Sequence, residues 1–237
     1  NEIPLDDVRM DAVNRAKWHS LDLTPDLETL WAGLNGAARR AVRKAAGQGV
    51  VIRTATELEE LRAFFELHLR IRKYKYRLLA QPYSLFRNLW DEFVTDGKGA
   101  LMIAIHDERI VGGVFFLEWK NTLYYKFNAS DVALVSVRPN DLILWKAIEA
   151  AKAKGLTRLD FGLSDWDQDG LLRYKRKYAT EEKTITFLRG NQALAEPAAS
   201  TVQTREVLPR LTDLLTDERL PDEITEKAGE ILYQFFA

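Results

Sequence analysis

The chain has 237 residues, 46% hydrophobic and 29% charged, with a formal net charge of −1, an ordinary globular composition with no global basic excess for nucleic acid. A chain of this length buries roughly three quarters of its unfolded surface, so it carries a real core. Cysteine is absent, which excludes disulfides, thiolate nucleophiles and Cys-based zinc sites, and His19, His68 and His106 are too scattered to suggest a metal site.

Residues 1–27 are polar, with Trp18 to Leu23 able to form a strand and Thr24-Pro25-Asp26 able to open a helix. From Leu27 to Gln48 the spacing is helical: Leu27, Leu30, Trp31 and Leu34 share a face, Gly36 is a candidate interruption, and Arg39, Arg40, Arg43 and Lys44 make a basic cluster. That cluster is read either as a solvated helix face or as a contact for phosphate. Gly49 ends the helix and Val50-Val51-Ile52 is a short strand. Thr56 followed by Glu59 has the pattern of a capping box for the next helix, which carries Leu58, Leu61, Phe65 and Leu69 at helical spacing. Its end gathers Arg70, Arg72, Lys73, Lys75 and Arg77 around Tyr74 and Tyr76. These cations are either a nucleic-acid patch or simply suited to the helix dipole.

Pro82 breaks the chain and Tyr83 to Phe93 reads as another amphipathic helix. Three strand-like runs follow, 100–106, 109–119 and 122–130, joined by Asp107-Glu108 and Lys120-Asn121, which predicts an antiparallel meander. Gly112-Gly113 inside the second run predicts a bulge or a close backbone approach. Pro139-Asn140-Asp141 opens a helix that Gly155 ends, and a strand at 157–161 follows, a crossover that makes the flanking strands parallel. Leu159 and Phe161 are buried positions of that strand, Gly162 opens a polar loop, and a helix at 170–178 carries Tyr174 and Lys175, an arrangement that places a cation beside a cleft. A last strand at 184–188, a linker at 190–203 and helices near 205–216 and 222–236 complete the chain.

Two features of the loops bear on ligands. Asp165-x-Asp167-x-Asp169-Gly170 begins like a calcium loop, but Arg176 stands where the closing glutamate is required, so no metal is expected. Asp160 lies at the carboxyl end of a sheet strand, where α/β folds gather ligands, and is read as a base or as an orienter of an incoming amine, or else as a cap or ion-pair partner. Ser164, Asp165 and Asp167 are loop groups able to bind a polar acceptor.

The order strand, helix, helix, three meander strands, helix, strand, helix, strand over residues 50–189 resembles the GNAT acyltransferase fold. LWAGLNGAARRAVRKAAGQGVVI, YYKFNAS, RPNDLILWKAIEAAKAKG and LDFG…GLLRYKRKY resemble its FemAB-like branch, the peptidoglycan-bridge aminoacyltransferases and relatives in exopolysaccharide biosynthesis. The resemblance implies an α/β (α+β) fold with a mixed sheet and helices on both faces, preceded by a basic helix and followed by a helical tail. It divides the chain into 1–49, the remnant of or junction to a first GNAT-like half; 50–189, the acyltransferase domain; and 190–237, linker and tail. Because the chain begins at Asn1 rather than Met, natural sequence is expected upstream, including most of a first half.

The function implied is transfer of an acyl or aminoacyl group, from aminoacyl-tRNA or acyl-CoA, to an amine on an anionic cell-envelope precursor or polysaccharide intermediate. By position in GLLRYKRKY, the family's aromatic-Lys pair falls on Tyr174 and Lys175, with Lys175 meeting developing charge and Asp160 as the second catalytic candidate. Arg70 and Arg72 would hold anionic substrate, and Asn128 and Ser130 would line the cleft with Ser164. Arg138 heads the segment Arg138-Pro139-Asn140-Asp141 that stands where CoA-using relatives have a glycine-rich turn. Lacking glycine, holding a proline that cannot donate and adding a carboxylate, this turn disfavours pyrophosphate. An acyl-CoA-dependent N-acyltransferase remains an alternative, as does a non-catalytic module that binds RNA or a partner through 39–44 and 70–77. No tightly bound cofactor is expected. With no apolar run near the roughly 20 residues that span a bilayer, the expected location is the cytoplasm, with the inner face of the membrane as the alternative.

Overall fold

The computed structural model describes residues 10–190 and 199–235, with 199–206 described by backbone alone. A mixed seven-stranded sheet is its frame. The meander is present where the alternation places it, as β3 (Gly99–His106), β4 (Arg109–Trp119) and β5 (Thr122–Ser130). Asp107 and Glu108 both adopt left-handed backbone, φ 48° and 60°, which is the twist that a two-residue hairpin requires. With β1 (Met10–Asp22), β2 (Val51–Thr54), β6 (Arg158–Asp165) and β7 (Glu181–Gly190), the sheet order is β2-β3-β4-β5-β6-β1-β7. Strands β5 and β6 run parallel, as the crossover predicts, and the other described pairings are antiparallel.

Alternation along β3 and β4 sends side chains to two separate cores. On one face Leu101, Ile103 and Phe115 meet α3 (Leu58–Arg70) and α4 (Tyr83–Leu89) through Leu61, Phe64, Phe65 and Phe86. On the other, Met102, Val114, Phe116, Leu159 and Phe161 meet α1 (Leu27–Gly33), α2 (Gly36–Gly47) and α5 (Pro139–Ala153). Burying each such side chain stabilises the fold by roughly 1.5–3 kcal/mol. At Gly113 the close approach comes from a side chain rather than from another backbone: a Cβ built there would lie 2.7 Å from Cδ2 of Phe64.

Several local expectations are corrected. The helical stretch from Leu27 is interrupted just before Gly36, the candidate position, because Asn35 caps Ala37 through its side chain and restarts the chain as α2, which carries the whole basic cluster. The capping box opening α3 is built from Glu57 and Glu60 rather than Thr56 and Glu59, since Glu60 reaches back to the backbone of Thr56 and Glu57. Helices α3 and α4 each continue in a wider π-type turn, Ile71–Lys75 and Trp90–Val94. The strand near Trp18 is longer than expected and enters the sheet between β6 and β7, so part of the N-terminal segment belongs to the same sheet as residues 50–189. The 190–203 linker lies mostly outside the described residues, and from Ala199 the chain is already in α7 (Ala199–Leu215), followed by α8 (Asp222–Leu232).

Candidate active site

The site is a fork in the sheet. Pairing between β5 and β6 ends at Tyr124 and Asp160, yet the strands continue to Ser130 and Asp165. Opposite Phe115 and Phe116, strand β5 carries an extra residue, Lys126, because Phe115 pairs with Phe127 and Phe116 with Tyr125. Such a bulge reverses the facing of the residues beyond it. Asn128 and Ser130 therefore share the face of Tyr125, as their partners Val114 and Gly112 require. Helix α6 (Asp169–Lys175) sits at the fork and offers Tyr174 to one side and Lys175 to the other.

The β5 side is a chain of polar groups. Asn128 donates to the Tyr125 hydroxyl at 2.6 Å, Asn140 donates to Ser130 at 3.4 Å, and the Tyr174 hydroxyl donates to the Asn140 carbonyl at 3.3 Å. Burial raises the hydroxyl pKa of both Tyr125 and Tyr174, so both remain protonated donors. The buried Oδ1 of Asn140 has no partner among the described residues. Behind this chain, Asp141 in the first turn of α5 is 4% exposed and accepts from Lys177 at 2.7 Å and from the Tyr178 hydroxyl at 2.6 Å. Its charge sits where the partial positive end of the helix would otherwise meet a phosphate.

The β6 side holds the cation. Lys175 is 3% exposed, and its ammonium donates to the carbonyls of Gly162 at 3.1 Å and Leu163 at 2.8 Å. Desolvation lowers its pKa to about 8, while the charge of Asp160 acts in the opposite sense. Gly162 turns the strand with φ 65°, a conformation natural to glycine, and thereby presents both carbonyls. Asp160 fixes that turn: it accepts from the Gly162 backbone N–H at 2.6 Å and from the Trp18 indole at 3.0 Å to each oxygen. Nearby, His19 is fully buried and bonded to Glu182 at 2.9 Å, and burial lowers its pKa. Ser164 Oγ and His19 Nδ1 are buried without partners among the described residues.

The fold thus gathers Asn128, Ser130, Tyr174, Lys175, Asp160 and Ser164 around one fork. Arg138 heads α5 as an exposed residue in left-handed backbone, φ 61°. Arg70 lies apart from Lys175 but lines a cleft with Ser130. Arg72 is turned inward, donating to the Leu79 carbonyl at 3.1 Å, and desolvation lowers its pKa. The run 70–77 is only partly an open basic patch, with Arg70, Lys75 and Arg77 exposed. Lys73 is fully buried against the Leu220 carbonyl and Asp222, and Arg77 is tied to the Thr216 carbonyl and Glu218. In the other cluster, Arg39 donates to carbonyls of α1 and Arg43 lies over the Trp31 ring.

Trp18, His19 and Tyr125 join the site without a strong local signal, because strand pairing and a bulge bring them there. The aromatic-polar alternation of Trp18, His19 and Ser20 was the available hint. Among the described residues no group of three His, Cys, Asp or Glu side chains could hold a metal, and no helix is long and apolar enough to cross a membrane.

A family model of the acetyltransferase (GNAT) domain matches residues 35–176. No curated protein matches the chain by sequence. Among solved structures the chain is similar to FemX, at 16% identity and a TM-score of 0.63, over 78% of this chain and 65% of that one. It is also similar to the C-terminal domain of a protein from Agrobacterium fabrum provisionally named a lysylphosphatidylglycerol synthetase (12% identity, TM-score 0.57, 85% of this chain and 67% of that one). L-PGS from Bacillus licheniformis aligns at 12% identity with a TM-score of 0.55, over 90% of this chain and 70% of that one. At these identities the likeness is one of fold, and the chain spans less than two thirds of the length of FemX.

Proposed function

The chain belongs to the GNAT acetyltransferase family, and from that premise we propose that it moves an acyl or aminoacyl group onto an amine of a cell-envelope precursor or polysaccharide intermediate. The observation that carries the reading is the buried Lys175 ammonium, held by two backbone carbonyls of β6 beyond the point where its pairing with β5 ends. An ammonium has three N–H donors, and two are engaged, so one is left to point at a reacting oxygen. With a pKa of about 8 it is mostly protonated at neutral pH.

In the reaction proposed, the acceptor amine attacks the donor carbonyl and a C–N bond forms. The C–O or C–S bond to the donor then breaks, and the leaving oxygen or sulfur takes up the proton that the amine gives up. Lys175 faces the negative charge that develops on the way, a contribution worth about 100- to 1000-fold in rate for one such donor. Asp160 supports it by holding the Gly162 turn and by offsetting its charge. Tyr174, Asn128 and Ser130 supply the polar wall for the substrate, and Ser164, next after Leu163 in β6, is a further polar group assigned to it.

Aminoacyl-tRNA is the donor favoured by the head of α5. Pro139 cannot donate there, and Asp141 already occupies the helix terminus with its carboxylate. The second reading, an acyl-CoA-dependent N-acyltransferase, is favoured by the family model itself. Thermal shift and native mass spectrometry against CoA thioesters, charged and uncharged tRNA, and UDP-linked cell-wall precursors separate the two. A ligand at one hundred times its Kd stabilises by about 2.7 kcal/mol. Selective stabilisation by CoA makes the second reading the lead. Stabilisation by charged tRNA, with turnover lost in Lys175→Ala, supports the first.

A further inference from the structure

We propose that the cleft between the end of α3 and the turn after β5 binds an anion carrying a long apolar chain, such as a fatty acyl or prenyl carboxylate or phosphate. The cleft measures about 580 Å³, within the roughly 300–1,000 Å³ typical of small-ligand sites. Leu67, Val132, Ala133 and Tyr74 line it together with the cations Arg70 and Lys75, the carboxylates Asp131 and Asp222, and Ser130. Val132 is 56% and Tyr74 41% exposed, a large apolar surface for side chains that line one concavity. Isolated exposed apolar residues need no explanation, but apolar residues grouped in a cleft mark a binding surface.

The charges are arranged to accept an anion. Asp222 already receives Lys73 and the Tyr74 hydroxyl, and Asp131 caps the backbone N–H of Ala133. Arg70 forms an exposed ion pair with Asp222 at 3.7 Å without a hydrogen bond, and Lys75 lies over the Tyr76 ring. Among the described residues neither cation donates a hydrogen bond. A sugar or nucleotide would need donors and acceptors along walls that supply few, and a neutral hydrocarbon would have no use for two cations. A charged head on Arg70 and Lys75 with a chain against Leu67, Val132 and Tyr74 satisfies both. The lining includes Ser130, whose hydroxyl accepts from Asn140 in the fork. The cleft would thus anchor a part of the substrate that binds without reacting, and only that substrate role rests on the acyltransferase reading.

The test is calorimetric titration of the full chain with dodecyl phosphate below its micelle concentration, beside inorganic phosphate, dodecyl maltoside, and vesicles of equal parts phosphatidylcholine and phosphatidic acid. Dodecyl phosphate is expected to bind, and Arg70→Gln and Val132→Asp each to weaken it about tenfold, the loss that follows from about 1.4 kcal/mol. Inorganic phosphate and dodecyl maltoside are expected to bind more weakly than dodecyl phosphate. Unchanged binding in both variants overturns the proposal, as does binding to vesicles with none to the monomeric amphiphile. If the variants lose the amphiphile while the wild type transfers no acyl group, the cleft stands and the reaction fails. If Lys175→Ala abolishes transfer while the cleft variants bind normally, the reaction stands and the cleft fails.

Discussion

The indole N–H of Trp18 points between the two carboxylate oxygens of Asp160, 3.0 Å from each, and so ties β1 to β6 where the sheet forks. The residues are 142 positions apart in sequence. Through Asp160 and the Gly162 backbone, this contact sets the direction of the two carbonyls that hold Lys175.

Trp18→Phe keeps the ring and removes the donor. A hydrogen bond to a charged group contributes about 1.5–3 kcal/mol, and Asp160 keeps its Gly162 partner, so a loss near the lower end is expected. For a chain of this size that is a melting temperature lower by roughly 3–6 °C. If Trp18 positions Lys175, kcat for acyl transfer also falls while KM changes little. A variant that melts like the wild type would show that the contact does not hold the fork.

The lowered pKa of Lys175 makes two pH predictions. An unfolded lysine titrates near 10.5 and the folded one at about 8. Between these values the unfolded state binds more protons, so stability rises with pH through this window, by up to about 3 kcal/mol from this group. Below pH 8 both states are charged and the burial penalty is fully present. Lys175→Met should abolish that part of the pH slope in urea unfolding measured from pH 7 to 10.5. In turnover the direction is opposite: a cation that stabilises an oxyanion loses its effect as pH rises through about 8. A rate that increases through that pH by more than deprotonation of the acceptor amine accounts for would instead identify Lys175 as a base.

Gly113→Ala tests the contact between α3 and the sheet. The added methyl would meet the Phe64 ring at 2.7 Å, and overpacking of this kind costs about 1–3 kcal/mol. Phe64→Leu in the same chain should recover part of the loss, giving a coupling energy outside the roughly 0.5 kcal/mol expected of independent sites. Strict additivity of the two substitutions would mean that the ring moves aside freely.

The parts of the fold that rest on local chemistry were legible. Alternation and the Asp107-Glu108 turn marked β3 and β4, and Pro139 and Gly155 bracketed the helix that makes β5 and β6 parallel. The place of β1 was not legible, because its register with β6 and β7 depends on partners far along the chain, and residues 11–15 are exposed and mostly polar. In the fork, Tyr174 and Lys175 are legible both in the strand, polar loop and helix pattern and in the family resemblance. Asn128 and Ser130 face the fork because of the Lys126 bulge, which no sequence period records. The run 70–77 shows the opposite difficulty: charge composition suggests a surface, whereas Lys73 and Arg72 point inward to carbonyls that only the folded tail and loop provide.

That tail supplies the last prediction. Lys73 is fully buried and donates to the Leu220 carbonyl at 2.5 Å and to Asp222 at 2.9 Å, so it joins the π-type turn after α3 to the start of α8. Removing one partner of a buried pair costs about 3–5 kcal/mol, and the partial exposure of Asp222, 28%, lets water relieve some of that. Lys73→Ala is therefore expected to cost about 2–3 kcal/mol and to lower hydrogen-exchange protection in α8 more than in β3 and β4. Arg87→Ala is the control, since Arg87 and Asp91 form an exposed i,i+4 pair worth about 0.3–0.5 kcal/mol. Equal losses in the two variants, or uniform deprotection of the sheet and α8, would show that Lys73 does not fasten the tail in particular.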